Sequence, residues 1–264
     1  MGIFDGLLKE KSEDFEPVDF PPSSETTTKA LCDVYGVWYK TKVIFSGGWV
    51  SDVVVAGGSV RDLFFDRTPR DIDIYLTPSR LWWGDRHDDE DKVMEILLSM
   101  IRKLDNTFDL KCRYTASESH IKNFLNCEKP CSVLKLGEAK YNGKRRYLQF
   151  MIPKAVTPQG VVDNFDLDIC QFAYDGSKFY TGTDMDIQSV KRALLGKGPV
   201  KLINPITTKT RLDKFESRFD CDVDQARKQM AKFLRKETDW DRDIDEGFAG
   251  VDNPLHDFHG VGKS

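Results

Sequence analysis

The sequence predicts an α/β (α+β) fold in which helices flank a mixed β-sheet, with a small helical extension at the C-terminal end. Three observations lead to this prediction. β-Branched segments of strand length alternate with segments whose apolar residues recur at helical spacing. An Asn-Gly pair joins two β-rich runs, as in a hairpin, which adds antiparallel strands to the sheet. Beyond residue 181 the apolar spacing is that of helices.

Composition and charge limit the classes of function. The 264 residues, 40% hydrophobic and 31% charged, are typical of a soluble globular protein. The net charge of -4 argues against a generally basic nucleic-acid binder, although it leaves room for a local basic groove. No apolar run approaches the roughly 20 residues that would cross a bilayer, and the N-terminus lacks the features of a signal peptide. We therefore expect a cytoplasmic protein without a membrane partner.

Four segments are expected along the chain. Acidic residues and prolines without an apolar period predict a weakly structured acidic arm over residues 1–28 and an acidic, flexible tail over residues 239–264. A core domain is predicted over residues 29–180, followed by a helical subdomain over residues 181–238.

The first half of the core domain predicts two strands, each followed by a helix. Ser51 to Ala56 is β-branched and ends at a glycine pair, which is typical of a buried strand entering a tight turn. Asp71 to Leu76 alternates polar and apolar residues with the period of two of a strand. Apolar residues at helical spacing predict a helix over Asp89 to Leu104. Further helices are predicted near the start of Thr28 to Ser46 and over Ser59 to Phe65.

The second half predicts a hairpin, a short helix and a further strand. Ser132 to Leu136 and Lys144 to Ile152 are joined around Asn142-Gly143, a pair that is common in hairpin turns. Thr157 to Asn164 begins Thr-Pro, which favours a short helix with proline at its first position. Phe165 to Tyr174 is predicted as a strand. C-terminal helices are predicted over Met185 to Leu195 and Val223 to Lys236.

Gly57-Gly58-Ser59, which follows the first strand, is a candidate phosphate-binding turn. Glycines let the backbone approach a bulky anion because no Cβ stands in the way. The helix that follows directs unpaired N–H groups and the positive end of its dipole to the same place. Ser59 adds a hydroxyl donor. Together these groups would hold a triphosphate.

Asp71 and Asp73 form a candidate metal site. They stand two apart in a predicted strand, so their side chains leave the same face, while Ile72 and Ile74 anchor the strand in the core. Two neighbouring carboxylates repel each other unless a cation lies between them, which makes a divalent metal the natural occupant. Oxygen ligands favour Mg²⁺ or Mn²⁺ over softer metals.

A third carboxylate is available on the predicted strand that begins at Phe165. Asp166 and Asp168 are the candidates, and we favour Asp166 because it directly follows the helix that would place it beside the first acidic strand. Three carboxylates would hold two metal ions. One ion would activate an attacking hydroxyl, and the other would stabilise the triphosphate and the leaving pyrophosphate.

The order of these motifs is more specific than any one of them, since an isolated glycine pair is usually a turn and an isolated Asp-x-Asp a strand edge. Together they resemble the DNA polymerase β-like nucleotidyltransferase superfamily, closest to the head domain of tRNA nucleotidyltransferase and poly(A) polymerase. The Gly-Gly-x-Val-Arg-Asp motif of that domain stands here as Gly57 to Asp62. Its basic residue before Asp-x-Asp is matched by Arg67 and Arg70, which precede Asp71-Ile72-Asp73.

This resemblance implies a nucleotidyltransferase catalytic domain over residues 29–180. Such a domain binds an NTP, for example ATP, with Mg²⁺ or Mn²⁺ and transfers the NMP to an acceptor hydroxyl with release of pyrophosphate. The acceptor is left open between an RNA 3′ end such as that of tRNA, a protein and a small molecule. The implied NTP contacts are Gly57, Gly58, Ser59, Arg61 and Arg70. The implied metal ligands are Asp71, Asp73, Asp166 and Asp168, of which Asp71, Asp73 and Asp166 are the expected catalytic residues.

Two other functions fit parts of the pattern. One is a non-catalytic nucleotide- or RNA-binding module derived from such an enzyme, against which the intact Asp71 and Asp73 argue. The other is a metal-dependent phosphohydrolase, which fits the carboxylates but gives the Gly-Gly-Ser turn little to do. Basic residues at helical spacing further along the chain either face the triphosphate or form a solvated helix face. They are Arg211, Lys214 and Arg218.

Overall fold

A seven-stranded β-sheet organises the residues that the computed structural model describes, which are 25–46, 48–79, 90–113, 118–126, 132–140, 147–204 and 209–240. The strands are β1 (Val50–Ala56), β2 (Ile72–Pro78), β3 (Leu110–Arg113), β4 (Val133–Lys140), β5 (Tyr147–Pro153), β6 (Phe172–Tyr174) and β7 (Phe179–Thr181). The α-helices are α1 (Glu25–Ile44), α2 (Gly58–Phe64), α3 (Glu90–Phe108), α4 (Glu118–Asn126), α5 (Pro158–Asp163), α6 (Ile187–Leu194), α7 (Lys209–Phe219) and α8 (Asp224–Trp240). A 3-10 helix covers Asp168–Cys170.

The sheet has the order β3-β4-β5-β2-β1-β6-β7, with β2 and β1 at its centre. Strand β2 runs antiparallel to β1 and parallel to β5, and the other neighbouring strands are antiparallel. The parallel β2–β5 pair among antiparallel ones confirms the predicted mixed sheet. The antiparallel β4–β5 pair confirms the predicted hairpin, whose loop at residues 141–146 lies outside the described residues.

The two faces of the sheet are covered differently. On one face Ile74 and Leu76 are fully buried in the large core, which α1 and α3 also line. On the other face Tyr75 packs in a smaller cluster with Val161 and Val162 of α5. Side chains alternate between faces along a strand, so Asp73 shares the face of Tyr75. The smaller cluster therefore lies beside the first candidate metal ligands.

The apolar stripes of the flanking helices account for the large core. Helix α3 buries Val93, Leu97, Met100 and Leu104, which recur every three or four residues. This confirms the helix predicted from that spacing, and α3 continues four residues beyond its expected end. Among the described residues, no helix has the length and apolar character needed to cross a membrane.

Helix α5 begins as predicted. Pro158 occupies its first turn, and the side chain of Thr157 accepts a hydrogen bond from the Gly160 N–H, with Oγ1 and N 3.1 Å apart. The predicted C-terminal helices are also present as α6 and α8. Helix α1 begins at Glu25, inside the segment expected to be an acidic arm. The rest of that arm, up to residue 24, and the tail beyond residue 240 lie outside the described residues.

The strand predicted over Phe165 to Tyr174 was wrong for most of its length. Only Phe172–Tyr174 is a strand, and a 3-10 helix precedes it. The cause is the Asp168 carboxylate, whose Oδ1 accepts hydrogen bonds from the N–H groups of Ile169 and Lys201. Such local bonds compete with a β-ladder for the backbone. Asp166 and Asp168 therefore do not share one face of a strand.

Gly176→Ala is expected to destabilise the fold. A Cβ at this position would lie 2.1 Å from the Trp38 ring, and the Gly176 φ of 91° is unfavourable for other residues. Trp38 cannot move freely because its indole N–H donates to the Val53 carbonyl over 2.8 Å. Overpacking of this kind costs roughly 1–3 kcal/mol. Urea unfolding should show a loss of this size in the free energy of unfolding.

Gly36→Ala is the matched control. Gly36 lies within α1, and a Cβ there would meet no atom within 4 Å. Replacing a helical glycine by alanine should raise the free energy of unfolding by up to about 1 kcal/mol. If Gly176→Ala unfolded at the same urea concentration as the unaltered protein, the packing of Trp38 on Gly176 would be wrong.

Candidate active site

The glycine turn and Asp73 meet at the end of β1. Ala56 and Asp73 are Cα partners in the antiparallel β1–β2 pair, so the turn that follows Ala56 lies beside Asp73. Gly57 adopts φ 77° and ψ -137°, and its N–H donates to the Phe172 carbonyl over 2.8 Å. A Cβ at Gly57 would lie 3.7 Å from Asp73 Oδ2 and 3.5 Å from the Phe165 ring. The two motifs that the sequence separates by more than ten residues are thus adjacent in space.

Asp73 is a half-buried carboxylate next to a second one. Burial, together with the charge of Asp71, raises its pKa from 3.8 to about 6. Asp71 itself is exposed and stands immediately before β2. Tyr75, on the same face as Asp73, is buried with its ring 5.9 Å from that of Phe165. The floor of the site is therefore apolar, and its rim carries two carboxylates.

Three basic side chains lie close enough to Asp73 to lower its pKa, namely those of Arg211, Lys135 and Lys214. Two of them come from α7 and one from β4. The spacing in α7 therefore brings Arg211 and Lys214 toward the site. Lys135 also pairs with Glu138, with its Nζ 3.2 Å from Oε2.

Arg211 connects Asp73, whose pKa it lowers, to Asp166. Its Nε lies 3.1 Å from Asp166 Oδ2, and its Nη2 donates to the Cys170 Sγ over 3.3 Å. The other oxygen of Asp166, Oδ1, is buried without a hydrogen-bond partner in the described structure. Asp166 is thus held beside the site by an arginine, with one oxygen still unsatisfied.

Asp168 is directed to a different place. It is 3% exposed and lines a cavity with Gln171 and Lys201. Burial raises the pKa of Asp168 to about 6, against the hydrogen bonds that it accepts from backbone N–H groups. Within the part of the chain that the structure describes, no three Asp, Glu, His or Cys side chains converge as a metal-binding group. The predicted set of three carboxylates is therefore not assembled around one point.

Arg61 lies in the interior, with its Nη2 3.5 Å from where a Cβ would stand at Gly58. It is 1% exposed, and its Nε and Nη2 donate to Asp62 Oδ1 over 3.0 and 2.6 Å. Its guanidinium lies over the Phe219 ring, 4.7 Å from the centroid. Arg218 donates to the other Asp62 oxygen over 2.8 Å. The Arg-Asp pair of the motif packs α2 against α7.

Ser59 and Arg70 complete the predicted set. Ser59 is 2% exposed, and its hydroxyl lies 3.5 Å from the Ala56 carbonyl oxygen within the turn. Arg70 is exposed in the connection between α2 and β2, directly before Asp71. It is the predicted basic NTP contact that is open to solvent.

Sequence reasoning missed the polar residues on the strands beyond β2. Gln149 of β5 is the cross-strand partner of Asp73, and Glu138 of β4 is the partner of Gln149. Cross-strand partners share a face, so these side chains extend the row that begins at Asp73. No short motif marks them, because only the register of β4 and β5 brings them beside Asp73.

The chain matches a family model described as Gabija anti-defense 2 family protein, over residues 29–188. The chain belongs to the Gabija anti-defense 2 family. The matched residues include the glycine turn, Asp71, Asp73 and the connection that carries Asp166. No curated protein matches the sequence.

The structure is similar to those of CCA-adding enzymes. A complex with ATP has 14% sequence identity and a TM-score of 0.48, and the match covers 83% of this chain and 47% of that one. The Thermotoga maritima CCA-adding enzyme complexed with tRNA_CCA has 15% identity and a TM-score of 0.48, with 80% of this chain and 45% of that chain covered. This chain therefore spans less than half the length of these two proteins.

Asp71 and Asp73 suit a hard divalent cation. A protein site for Mg²⁺ commonly supplies one or two carboxylates and leaves the other positions to water and substrate phosphates. Asp73 is held at an elevated pKa by burial and by its neighbour, and a cation would relieve both effects. Asp166, whose Oδ1 has no hydrogen-bond partner among the described residues, is connected to this pair through Arg211, which binds Asp166 and lowers the pKa of Asp73.

Asp73→Asn is expected to stabilise the metal-free protein at neutral pH. Because the folded-state pKa of Asp73, about 6, exceeds the ordinary 3.8, the folded protein holds this proton more tightly than the unfolded chain. The free energy of unfolding should therefore fall as the pH rises from 3.8 to about 6 and stay lower above it. The difference between the two protonation states is roughly 3 kcal/mol. The free energy of unfolding of Asp73→Asn should not show this decrease.

Urea unfolding in EDTA at pH 4 and pH 8 would measure the effect. Asp109→Asn is the control, since Asp109 is exposed and lies before β3, at the far edge of the sheet. A variant at Asp73 with the same pH dependence as the unaltered protein would contradict the elevated pKa.

Proposed function

We propose that the chain is a metal-dependent nucleotidyltransferase, acting in the cytoplasm, that moves an NMP from an NTP to an acceptor hydroxyl and releases pyrophosphate. The observation that carries the proposal is the position of Asp73 Oδ2, 3.7 Å from where a Cβ would stand at Gly57. An anion seated against this turn would lie beside the carboxylate. Only a cation between the two would make that arrangement favourable.

The residues of the site would divide the work. Gly57 and Gly58 admit the triphosphate to the backbone, while Asp71 and Asp73 hold Mg²⁺ or Mn²⁺. When bound, the metal lowers the pKa of the attacking hydroxyl and neutralises charge on the triphosphate. We take Asp166 as the third carboxylate because it pairs with Arg211, which also lowers the pKa of Asp73, and because its Oδ1 has no hydrogen-bond partner among the described residues. Asp168 instead lines another cavity.

Basic side chains would complete the triphosphate site. Lys214 is exposed on α7 and lies near enough to Asp73 to lower its pKa. Arg70 is exposed beside Asp71. Positioning and charge neutralisation are the main contributions that a protein makes to phosphoryl-type transfer.

The acceptor is proposed only as a class of hydroxyl. It is an RNA 3′ end such as that of tRNA, a protein side chain or a small molecule. The family is named for anti-defense against Gabija, and we propose that the transfer serves that activity.

One observation favours a second candidate, a non-catalytic nucleotide- or RNA-binding module. The partner of Asp73 on the parallel strand is Gln149, an amide, and Asp166 is paired with Arg211. A site that keeps two carboxylates, with its third carboxylate paired with Arg211, would still hold an NTP with a metal. It would bind the nucleotide without turnover.

Asp71→Asn and Asp73→Asn are expected to abolish transfer. The assay incubates the chain with each NTP labelled at the α-phosphate, Mg²⁺ or Mn²⁺, total RNA and total protein, and follows pyrophosphate and labelled acceptor. Loss of a charge that stabilises the transition state costs on the order of 100- to 1,000-fold. EDTA should have the same effect, and Asp109→Asn should not.

Two outcomes would contradict the proposed function. Full activity in both aspartate variants would exclude these residues from the chemistry. Saturable, metal-dependent NTP binding without turnover over any acceptor would instead favour the non-catalytic module.

Lys214→Met tests the basic rim. Removing a charge-assisted contact with the triphosphate should raise the KM for NTP about 10-fold or more, with a smaller effect on kcat. Lys232→Met, at an exposed position of α8, is the matched control. An unchanged KM in Lys214→Met would remove α7 from the nucleotide site.

A further inference from the structure

The cavity that Asp168 lines, of about 320 Å³, lies where the 3-10 helix meets the end of α5 and the start of α6. Its lining carries four carboxylates and one ammonium group. They belong to Asp163, Asp168, Asp184, Asp186 and Lys201. The proposed transfer uses none of these residues. We name this space the acidic cavity.

Gln171 is the first sign that the acidic cavity binds a ligand. The residue is only 4% exposed and lines the cavity. Its backbone is fixed, since its N–H donates to the Asp168 carbonyl and its carbonyl accepts from the Gly182 N–H. The side-chain amide of Gln171 lies against Gly182, and no described residue forms a hydrogen bond with it. An amide at a cavity wall can pair with a ligand that both donates and accepts hydrogen bonds.

Asp168 presents a free oxygen to the same space. It is 3% exposed, and its Oδ1 accepts from the N–H groups of Ile169 and Lys201 over 2.8 and 3.1 Å. No described residue donates a hydrogen bond to its Oδ2. The carboxylate is therefore rigidly oriented, with one oxygen available.

Two of the three neighbouring carboxylates, those of Asp163 and Asp186, accept hydrogen bonds within the protein. Asp163 accepts from the Thr183 N–H with Oδ1 and from the Thr183 hydroxyl with Oδ2, over 2.8 and 2.9 Å. Asp186 caps α6 by accepting from the Gln188 N–H over 3.0 Å. These two carboxylates therefore contribute negative charge to the acidic cavity, while their oxygens are already used in hydrogen bonds. A larger organic cation can reach Asp168 and Gln171 together.

A guanidinium group has the matching chemistry. It carries a positive charge and five N–H donors in a planar fork, which suits a carboxylate oxygen beside an amide oxygen. Met185 and Ile203 supply an apolar part of the lining, against which an aliphatic stem can pack. An anionic ligand such as a nucleotide would be repelled by the surplus of carboxylates.

We propose that the acidic cavity binds a guanidinium group on an aliphatic stem through Asp168 and Gln171. Two sources carry this group, an arginine side chain of a protein partner and a free alkylguanidine. The proposal is independent of the proposed transferase activity, because neither NTP nor metal takes part in the binding.

The test is a titration of the full chain with agmatine, without nucleotide and in EDTA, followed by NMR and calorimetry. Saturable binding with a dissociation constant on the order of millimolar is expected for so small a ligand. Asp168→Asn should weaken binding at least 10-fold, and its amide oxygen can still accept the two backbone bonds that fix the loop. Gln171→Leu should weaken binding as well. Lys201→Gln should strengthen it several-fold, because it removes the competing ammonium group.

Asp109→Asn, remote from the acidic cavity, should leave agmatine binding unchanged. A capped Gly-Arg-Gly peptide separates the two sources. If the peptide also binds and depends on Asp168, the source is a protein side chain, and if only agmatine binds, it is a free alkylguanidine. Both results support the proposal.

Three results would overturn it: no saturable agmatine binding, binding that Asp168→Asn leaves unchanged while urea unfolding shows an intact fold, or displacement of agmatine by Mg²⁺ or ATP. The opposite effect expected for Lys201→Gln keeps the test decisive even if Gln171→Leu fails to fold.

Discussion

The antiparallel pairing of Ala56 with Asp73 is the contact on which the candidate site depends, because it joins the turn after β1 to the start of β2. A strand register that slipped by one residue would turn Asp73 into the large core and Ile72 into the site. The fully buried Ile74 and Leu76 prevent such a slip, since their burial is possible only in the observed register. The core thus specifies the site through residues that take no part in its chemistry.

A second constraint comes from the buried Arg61. Its guanidinium lies over the rings of Phe219 and Phe215, and Asp62 bridges it to Arg218. Removing one member of such a buried ion pair leaves an uncompensated charge, so the pair fixes the arrangement more than it adds stability. Because Arg218 belongs to α7, the bridge holds this helix where Arg211 can reach the site.

Much of the fold could be predicted from the sequence, since the periods of two and 3.6 follow directly from burial on one side of a strand or helix. The turn at Gly57 and the aspartates of Asp71-Ile72-Asp73 could also be predicted, because both motifs are short and local in the sequence. The strand expected around Asp168 was not, because a side chain that bonds to its own backbone overrides β propensity without changing the apolar pattern. The burial of Arg61 and its pairing with Asp62 could not be predicted, since sequence spacing alone does not reveal whether a charged side chain is paired inside the protein. Gln149 depends on the register of distant strands, which no local pattern encodes.

Charge balance explains why the proposed site needs a cation in addition to its own basic residues. The Asp71 carboxylate lies near that of Asp73, and the basic side chains that act on Asp73 are those of Arg211, Lys135 and Lys214. Arg211 is already paired with Asp166, and Lys135 with Glu138, so Lys214 is the remaining member of this basic set to offset Asp71 and Asp73. The site therefore has no surplus of positive charge for the several negative charges of a triphosphate. A divalent ion bound between the paired aspartates and the phosphates would supply that charge. It would also remove the repulsion that raises the pKa of Asp73.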